Sequence, residues 1–192
     1  MIDQLLMQKI ALASASPRRR ELLAQLGVHF ELVAAGVDET QWPGEAATDY
    51  VVRLAISKAQ AGFAAQTDVK LPVLGADTIV VVDGEVLGKP TDQADFLRMM
   101  WLLSNRQHQV YTAIALVSAE KQLTDLVKTD VWFSELSETQ MLEYWHTGEP
   151  ADKAGGYGIQ GLASRFIPKI AGSYFAVVGL PLFETDQLLQ QL

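Results

Sequence analysis

The chain has no cysteine at all, which excludes disulfides, thiol nucleophiles and cysteine-based metal sites. Histidine is scarce as well: His29, His108 and His146 are scattered and show no metal-ligand spacing. Basic residues are outnumbered, 15 Lys and Arg against 23 Asp and Glu, for a net charge of −8. That balance argues against broad binding to nucleic acid or to an anionic membrane, both of which select basic surfaces. No run approaches the roughly 20 apolar residues of a membrane span. The stretch Ala11-Leu12-Ala13-Ser14-Ala15 resembles a signal-peptidase site, but Asp3, Gln4, Gln8 and Lys9 interrupt the apolar segment that should precede it. Its basic cluster also lies on the wrong side. The expectation is a soluble, cytoplasmic protein with neither nucleic acid nor membrane as a partner.

What is there is an ordinary globular composition, 49% hydrophobic and 20% charged over 192 residues. It suits one domain spanning 1–192 with a sizeable core. Strand and helix signals alternate along it. A strand over 9–13 turns sharply into a helix opened by Ser16 and Pro17 and closed by Gly27. A short strand follows over 29–34, then a polar loop with Asp38, Glu39, Trp42 and Pro43, then an amphipathic helix over 48–66. Residues 72–82 form a strongly apolar strand, and Asp83-Gly84 signals a hairpin back through 85–87. A helix covers 92–103, and long strands cover 108–118 and 123–133. Ser137-Glu138-Thr139-Gln140 is a capping box for a helix that ends at Gly148. Residues 165–170 and 174–178 read as a closing β-hairpin, and 181–192 as a terminal helix. Hairpin-linked strands among helices predict an α/β (mixed α+β) fold: a central mixed sheet flanked by helices, with two lobes around a substrate cleft.

Several residues stand out against that frame. The turn into the first helix carries Ser14, Ser16, Arg18 and Arg19, at the place where unpaired backbone N–H groups and the helix dipole welcome anions. Cations are slightly unfavourable there by dipole logic alone, so a bound phosphate explains them best. Asp77 shares a strand face with Val73, Gly75, Ile79 and Val81, where an unpartnered carboxylate costs several kcal/mol. It must sit at a strand end facing a cleft, pair with a cation, or bind metal. Lys58 lies on the same helix face as Val51, Ala55 and Gly62, so it either snorkels outward or is held inward by an anionic partner. Lys89, between Gly88 and Pro90, sits on a stiff loop where its ammonium could reach a phosphate. Residues 155–161 hold four glycines in seven residues. This is neither a P-loop nor a dinucleotide fingerprint. It is either a turn cluster or a close backbone approach to a ligand, with Gln160 offering a donor and an acceptor to a base edge.

Taken in order, Ser14-Ala15-Ser16-Pro17-Arg18-Arg19, Val37-Asp38-Glu39, Lys58, Gly75-Ala76-Asp77-Thr78-Ile79-Val80, Gly88-Lys89-Pro90 and Asp152-Lys153-Ala154-Gly155-Gly156-Tyr157-Gly158-Ile159-Gln160-Gly161 resemble the Maf (septum-formation inhibitor-like) family of nucleoside triphosphate pyrophosphatases. The likeness covers nearly the whole chain. It implies hydrolysis of a nucleoside triphosphate between its α- and β-phosphates with a divalent cation, Mg²⁺ or Mn²⁺. Arg18, Thr78 and Gln160 resemble the dTTP/UTP-directed branch, with modified pyrimidine triphosphates as further candidates. The resemblance implies catalytic roles for Asp77, Glu39, Lys58 and Lys89, with Glu39 and Asp77 holding the metal. Ser14, Ser16, Arg18, Arg19, Thr78 and Gln160 would bind the substrate. A homodimer is left open. A different class of reading, a nucleotide-binding regulator of septum formation without significant turnover, is separated from the hydrolase by whether pyrophosphate appears.

Overall fold

The computed structural model describes residues 9–67 and 69–192; Asp3, Gln4 and Gln8, weighed above against an export signal, lie outside the described residues. The strands are β1 (Lys9–Ala13), β2 (His29–Leu32), β3 (Val73–Val82), β4 (Glu85–Leu87), β5 (Gln107–Val117), β6 (Gln122–Trp132) and β7 (Lys169–Ala171). The helices are α1 (Pro17–Gln25), α2 (Ala47–Ala65), α3 (Gln93–Leu103), α4 (Glu138–His146), α5 (Tyr174–Val178) and α6 (Leu182–Leu189). Together they make the expected α/β fold, a mixed seven-stranded sheet flanked by helices, ordered β2-β1-β3-β5-β6-β7 with β4 paired to β3. No helix among the described residues is long and apolar enough to cross a membrane.

Two compact units divide the chain, and β3, β5 and β6 contribute residues to each. One unit takes residues up to Asp77 together with 112–127 and 179–192; the other takes 78–111 and 128–178.

In the first unit β1 runs parallel to both β2 and β3, with Leu12 opposite Leu32 and Ala13 opposite Gly75. Parallel neighbours need crossovers, which α1 and α2 supply. The buried stripe of α2 is Val51, Leu54, Ala55, Ala59 and Gly62, the 3.6-residue period of a helix laid on a sheet. The contact with β3 is unusually close. A Cβ on Gly75 would stand 2.4 Å from the Ala55 carbonyl oxygen and 2.6 Å from the Ala59 nitrogen. Only glycine permits that approach, and it sets Lys58, between those two alanines, beside Asp77.

In the second unit β3 turns back into β4 through Asp83 and Gly84, both left-handed at φ 50° and 81°, as a two-residue hairpin requires. Asp92 caps α3 by accepting the Asp95 N–H. Ser137 and Gln140 form the predicted capping box of α4. Phe96, Met100, Phe133 and Tyr157 lie in the core between these elements.

The C-terminal hairpin is a correction. Residues 162–166 form a 3-10 turn, and only Lys169–Ala171 is a strand, paired antiparallel to β6 with Ile170 opposite Val131. Tyr174–Val178 is a helix. Its β-branched and aromatic residues look like a strand, but the local capping wins: the Ser173 hydroxyl accepts the Ala176 N–H at 3.1 Å. Gly172 and Gly179, at φ 129° and 132°, break the extended path on either side.

Candidate active site

Asp77 sits inside β3 and is 7% exposed. Lys58 answers the need for a partner. Its ammonium donates to Asp77 Oδ1 at 2.7 Å and lies 2.7 Å from Glu39 Oε1. The lysine and aspartate side chains are nearly enclosed, at 12% and 11% exposure, whereas Glu39 is 55% exposed. Lys58 is therefore held inward rather than snorkelling, and one cation bridges two carboxylates. Burial pushes the Asp77 carboxyl above the ordinary carboxylate range, although Lys58 and Arg19 pull it down; Glu39 adds to the rise. The net balance makes Asp77 readier to take a proton than an exposed aspartate.

Glu39 rides on a loop fastened to α2. The Tyr50 hydroxyl donates to the Glu39 carbonyl at 2.7 Å, and Arg53 donates to the Thr40 carbonyl at 3.0 Å. Arg53 also grips Glu45 with two bonds of 2.6 and 2.8 Å, while its guanidinium lies 4.0 Å over the Trp42 ring. Asp38 closes the turn by accepting the Thr40 N–H at 2.9 Å. Burial, together with the negative charge of Asp77 and Glu39, raises the Tyr50 phenol, so it stays a donor. Tyr50, Arg53 and Glu45 were not singled out from the sequence. The available signal was an aromatic and a cation three residues apart on one helix face, just after a loop carrying a candidate carboxylate.

The segment from β1 into α1 gathers the other polar candidates of this unit. Ser16 stands at the helix cap with an extended backbone, but its hydroxyl makes no capping bond. Instead Ser14 Oγ accepts the Ser16 N–H at 3.2 Å. Arg19 Nε donates to the Gly179 carbonyl at 2.8 Å, and Nη1 approaches Ser14 Oγ at 3.5 Å. Burial lowers the Arg19 guanidinium and Arg18 adds to the drop, while Asp77 and Glu39 support its charge. Arg18, Arg19, Asp77 and Glu39 thus share one electrostatic neighbourhood.

In the second unit Thr78 follows Asp77 on β3, half-buried. Lys89 is exposed on the loop after β4. The Gly155 N–H donates to the Gly88 carbonyl at 2.9 Å, and the Gly161 N–H to the Gly158 carbonyl at 3.0 Å. The first bond ties the Lys89 loop to the glycine segment. The second closes the turn on which Gln160 is exposed. Two side chains missed from the sequence grip that turn: Tyr144 accepts the Gly158 N–H at 3.2 Å, and Glu149 accepts the Leu162 N–H at 3.0 Å.

No group of three or more His, Asp or Glu that could hold a metal occurs among the described residues. A divalent cation would have the carboxylates of Glu39 and Asp77, both already converging on one ammonium. Two carboxylates fit a hard cation that draws its other ligands from phosphate and water.

Comparison with known proteins gives a consistent picture. The model of the family of Maf-like proteins matches residues 9–192. A dTTP/UTP pyrophosphatase of Vibrio vulnificus (strain YJ016) is 55% identical over 96% of this chain and 99% of its own. One of Pseudoalteromonas translucida (strain TAC 125) is 56% identical over 94% of this chain and 95% of its own. One of Shigella dysenteriae serotype 1 (strain Sd197) is 56% identical over 95% of this chain and 92% of its own.

Proposed function

The chain belongs to the Maf family, and from that premise we infer that it is a nucleoside triphosphate pyrophosphatase that hydrolyses dTTP and UTP to the monophosphate and pyrophosphate. Modified pyrimidine triphosphates are further candidate substrates. The carrying observation is the bridge in which Lys58 lies 2.7 Å from both Asp77 and Glu39. A binding module has no use for a buried, proton-hungry carboxylate beside the phosphate-type cations Arg18 and Arg19. A hydrolase has.

In this reading the amides at the start of α1, with Ser14, Ser16, Arg18 and Arg19, receive the phosphate chain. The Gly179 carbonyl pre-orients Arg19. Asp77 accepts a proton from the attacking water as its oxygen adds to phosphorus at the α–β anhydride. The bond to the bridging oxygen breaks, and pyrophosphate leaves with the electron pair. Lys58 and Lys89 stabilise the charge gathering on the phosphoryl oxygens and the leaving group. Mg²⁺ or Mn²⁺, held by Glu39 and Asp77 together with substrate phosphates, would supply further charge neutralisation. Thr78 and Gln160 read the pyrimidine edge. The setting is the cytoplasm, where such nucleotides are held, and the net charge of −8 keeps nucleic acid out of the picture.

The test is pyrophosphate release from a panel of common and modified nucleoside triphosphates with Mg²⁺ or Mn²⁺, alongside Asp77→Asn. Release confined to pyrimidine triphosphates and lowered about 10²–10⁴-fold in the variant supports both the activity and the general base. Tight nucleotide binding with no release from any substrate would replace the hydrolase by a binding regulator.

A further inference from the structure

The turn that presents Gln160 is held by a ring of side-chain bonds. The Gly158 N–H donates to the Tyr144 hydroxyl at 3.2 Å. That hydroxyl, with its single proton, donates to Glu149 Oε1 at 2.7 Å. Glu149 Oε2 then accepts the Leu162 N–H at 3.0 Å. One tyrosine and one carboxylate therefore fasten the chain on both sides of Gln160.

The ring has little slack. A Cβ on Gly161 would stand 2.3 Å from Glu149 Oε1, and one on Gly158 would stand 2.8 Å from Lys153 Cε. The carboxylate and the lysine stem thus lie against the turn backbone, in the space a Cβ would take. Glu149 is itself fixed, with its N–H on Thr147 Oγ1 at 3.2 Å and its carbonyl accepting from Lys153 Nζ at 2.7 Å. Tyr144 is 3% exposed, and burial raises its phenol far above the ordinary value, so it remains a proton donor.

A glycine-rich turn needs no charge to close, since the Gly161 N–H to Gly158 carbonyl bond already closes it. A partly buried carboxylate is an expensive addition unless stiffness there matters. Charge-assisted bonds are the stronger kind, and a stiff mount is what a lone amide needs to discriminate. A mount that can drift lets the amide swing to meet a base whose donor and acceptor are exchanged. A turn backbone held in place narrows the positions from which that amide can reach the base, so the exchanged pattern is met less well and leaves polar groups unpaired.

We propose that Tyr144 and Glu149 are positioning residues that hold Gln160 in register with the base and so set the preference for a 4-oxo pyrimidine. The proposal rests on the reading of Gln160 as a base-reading residue. The experiment measures kcat and KM for dTTP and dCTP, whose 4-amino group reverses the donor–acceptor pattern, in the full-length wild type, Tyr144→Phe, Glu149→Gln, their double variant and Gln160→Ala. Met141→Ala, a core truncation on the same helix, controls for loss of stability alone. The clamp predicts that each single variant raises KM for dTTP and shrinks the dTTP over dCTP ratio of kcat/KM about tenfold, with kcat within about twofold. The double variant should be no worse than the worse single one, because the ring breaks only once. Met141→Ala should lower the melting temperature and keep the ratio. Should Tyr144→Phe fail to fold, Glu149→Gln alone decides. An unchanged ratio in the clamp variants, beside a reduced one in Gln160→Ala, overturns the clamp and leaves the base reader standing. An unchanged ratio in Gln160→Ala overturns both.

Discussion

Lowering the pH from about 7.5 to about 5 should remove about 2 kcal/mol of stability at a single residue, His108. This histidine is 2% exposed on β5. Its Nε2 shares a 2.7 Å hydrogen bond with the Tyr157 hydroxyl, its ring stands edge-on to Phe133 at 5.1 Å, and Nδ1 has no hydrogen-bond partner among the described residues. Burial pushes the imidazole down from 6.5 to about 3, and the charge of Arg106 acts in the same direction. The unfolded chain therefore binds a proton near pH 6.5 that the folded protein refuses. A depressed value means the contribution is complete above the unfolded value and lost as pH falls toward about 3. Each pH unit below 6.5 costs about 1.36 kcal/mol, so about 2 kcal/mol is gone at pH 5. That figure barely depends on the folded value, provided it stays well below 5. The assay is urea unfolding at both pH values for the wild type and His108→Gln. Glutamine can keep a bond to Tyr157 but cannot titrate, and the carboxylates common to both proteins cancel. Parallel losses in the two proteins, within about 0.5 kcal/mol, would refute the reasoning, because the folded protein would then be accepting the proton.

The raised Asp77 carboxyl places the acid limb of kcat/KM above the ordinary carboxylate range, since the base must be ionised to act; activity flat down to about pH 4 would remove Asp77 from that role. Gly75→Ala forces a Cβ to 2.4 Å from the Ala55 carbonyl, backbone that cannot swing aside, so unfolding should become easier by about 1–3 kcal/mol and turnover should fall as Lys58 and Asp77 part. A wild-type denaturation midpoint in that variant would contradict the close approach. Glu39→Gln should raise the Mg²⁺ or Mn²⁺ concentration giving half-maximal rate about tenfold or more, read from metal titrations at saturating substrate. Asp77→Asn should lose about 10²–10⁴-fold in turnover yet be at least as stable as the wild type at neutral pH, measured by denaturant unfolding.

How much of this was legible in the sequence follows from the range of the forces involved. Periodicity and capping act within a few residues, so the mixed sheet, the Asp83-Gly84 hairpin and the Ser137–Gln140 box could all be read directly. The anomaly of Asp77 and that of Lys58 were also visible as two charges on apolar faces. Their mutual partnership was not, because it depends on Gly75 letting α2 approach β3, a contact 19 residues apart for the two charged groups. The Tyr144–Glu149 ring escaped for the opposite reason. Both residues are unremarkable by type, and only the tertiary turn gives them a task. Residues 174–178 misled because strand propensity reflects packing on a pleated surface, whereas here the capping hydroxyl of Ser173 acts first.

The Asp77 site also shows how a fold tolerates a group that works against it. A carboxyl raised by burial is one whose ionised form the folded protein disfavours. Its contribution to stability is present below the unfolded value of 3.8 and is lost as pH rises through the higher folded value. At neutral pH, then, ionised Asp77 weakens the fold, and Lys58 and Arg19 reduce that penalty without cancelling it. Asn removes the charge while Lys58 keeps Glu39 as a partner, which is why stability should hold while turnover falls. A purely structural ion pair behaves in the opposite sense: deleting one partner of a buried pair exposes the other and costs about 3–5 kcal/mol. The second carboxylate on Lys58 makes the difference. It lets the cation be balanced by Glu39 whenever Asp77 carries a proton, so Asp77 can take up a proton and release it again without leaving a buried ammonium stranded.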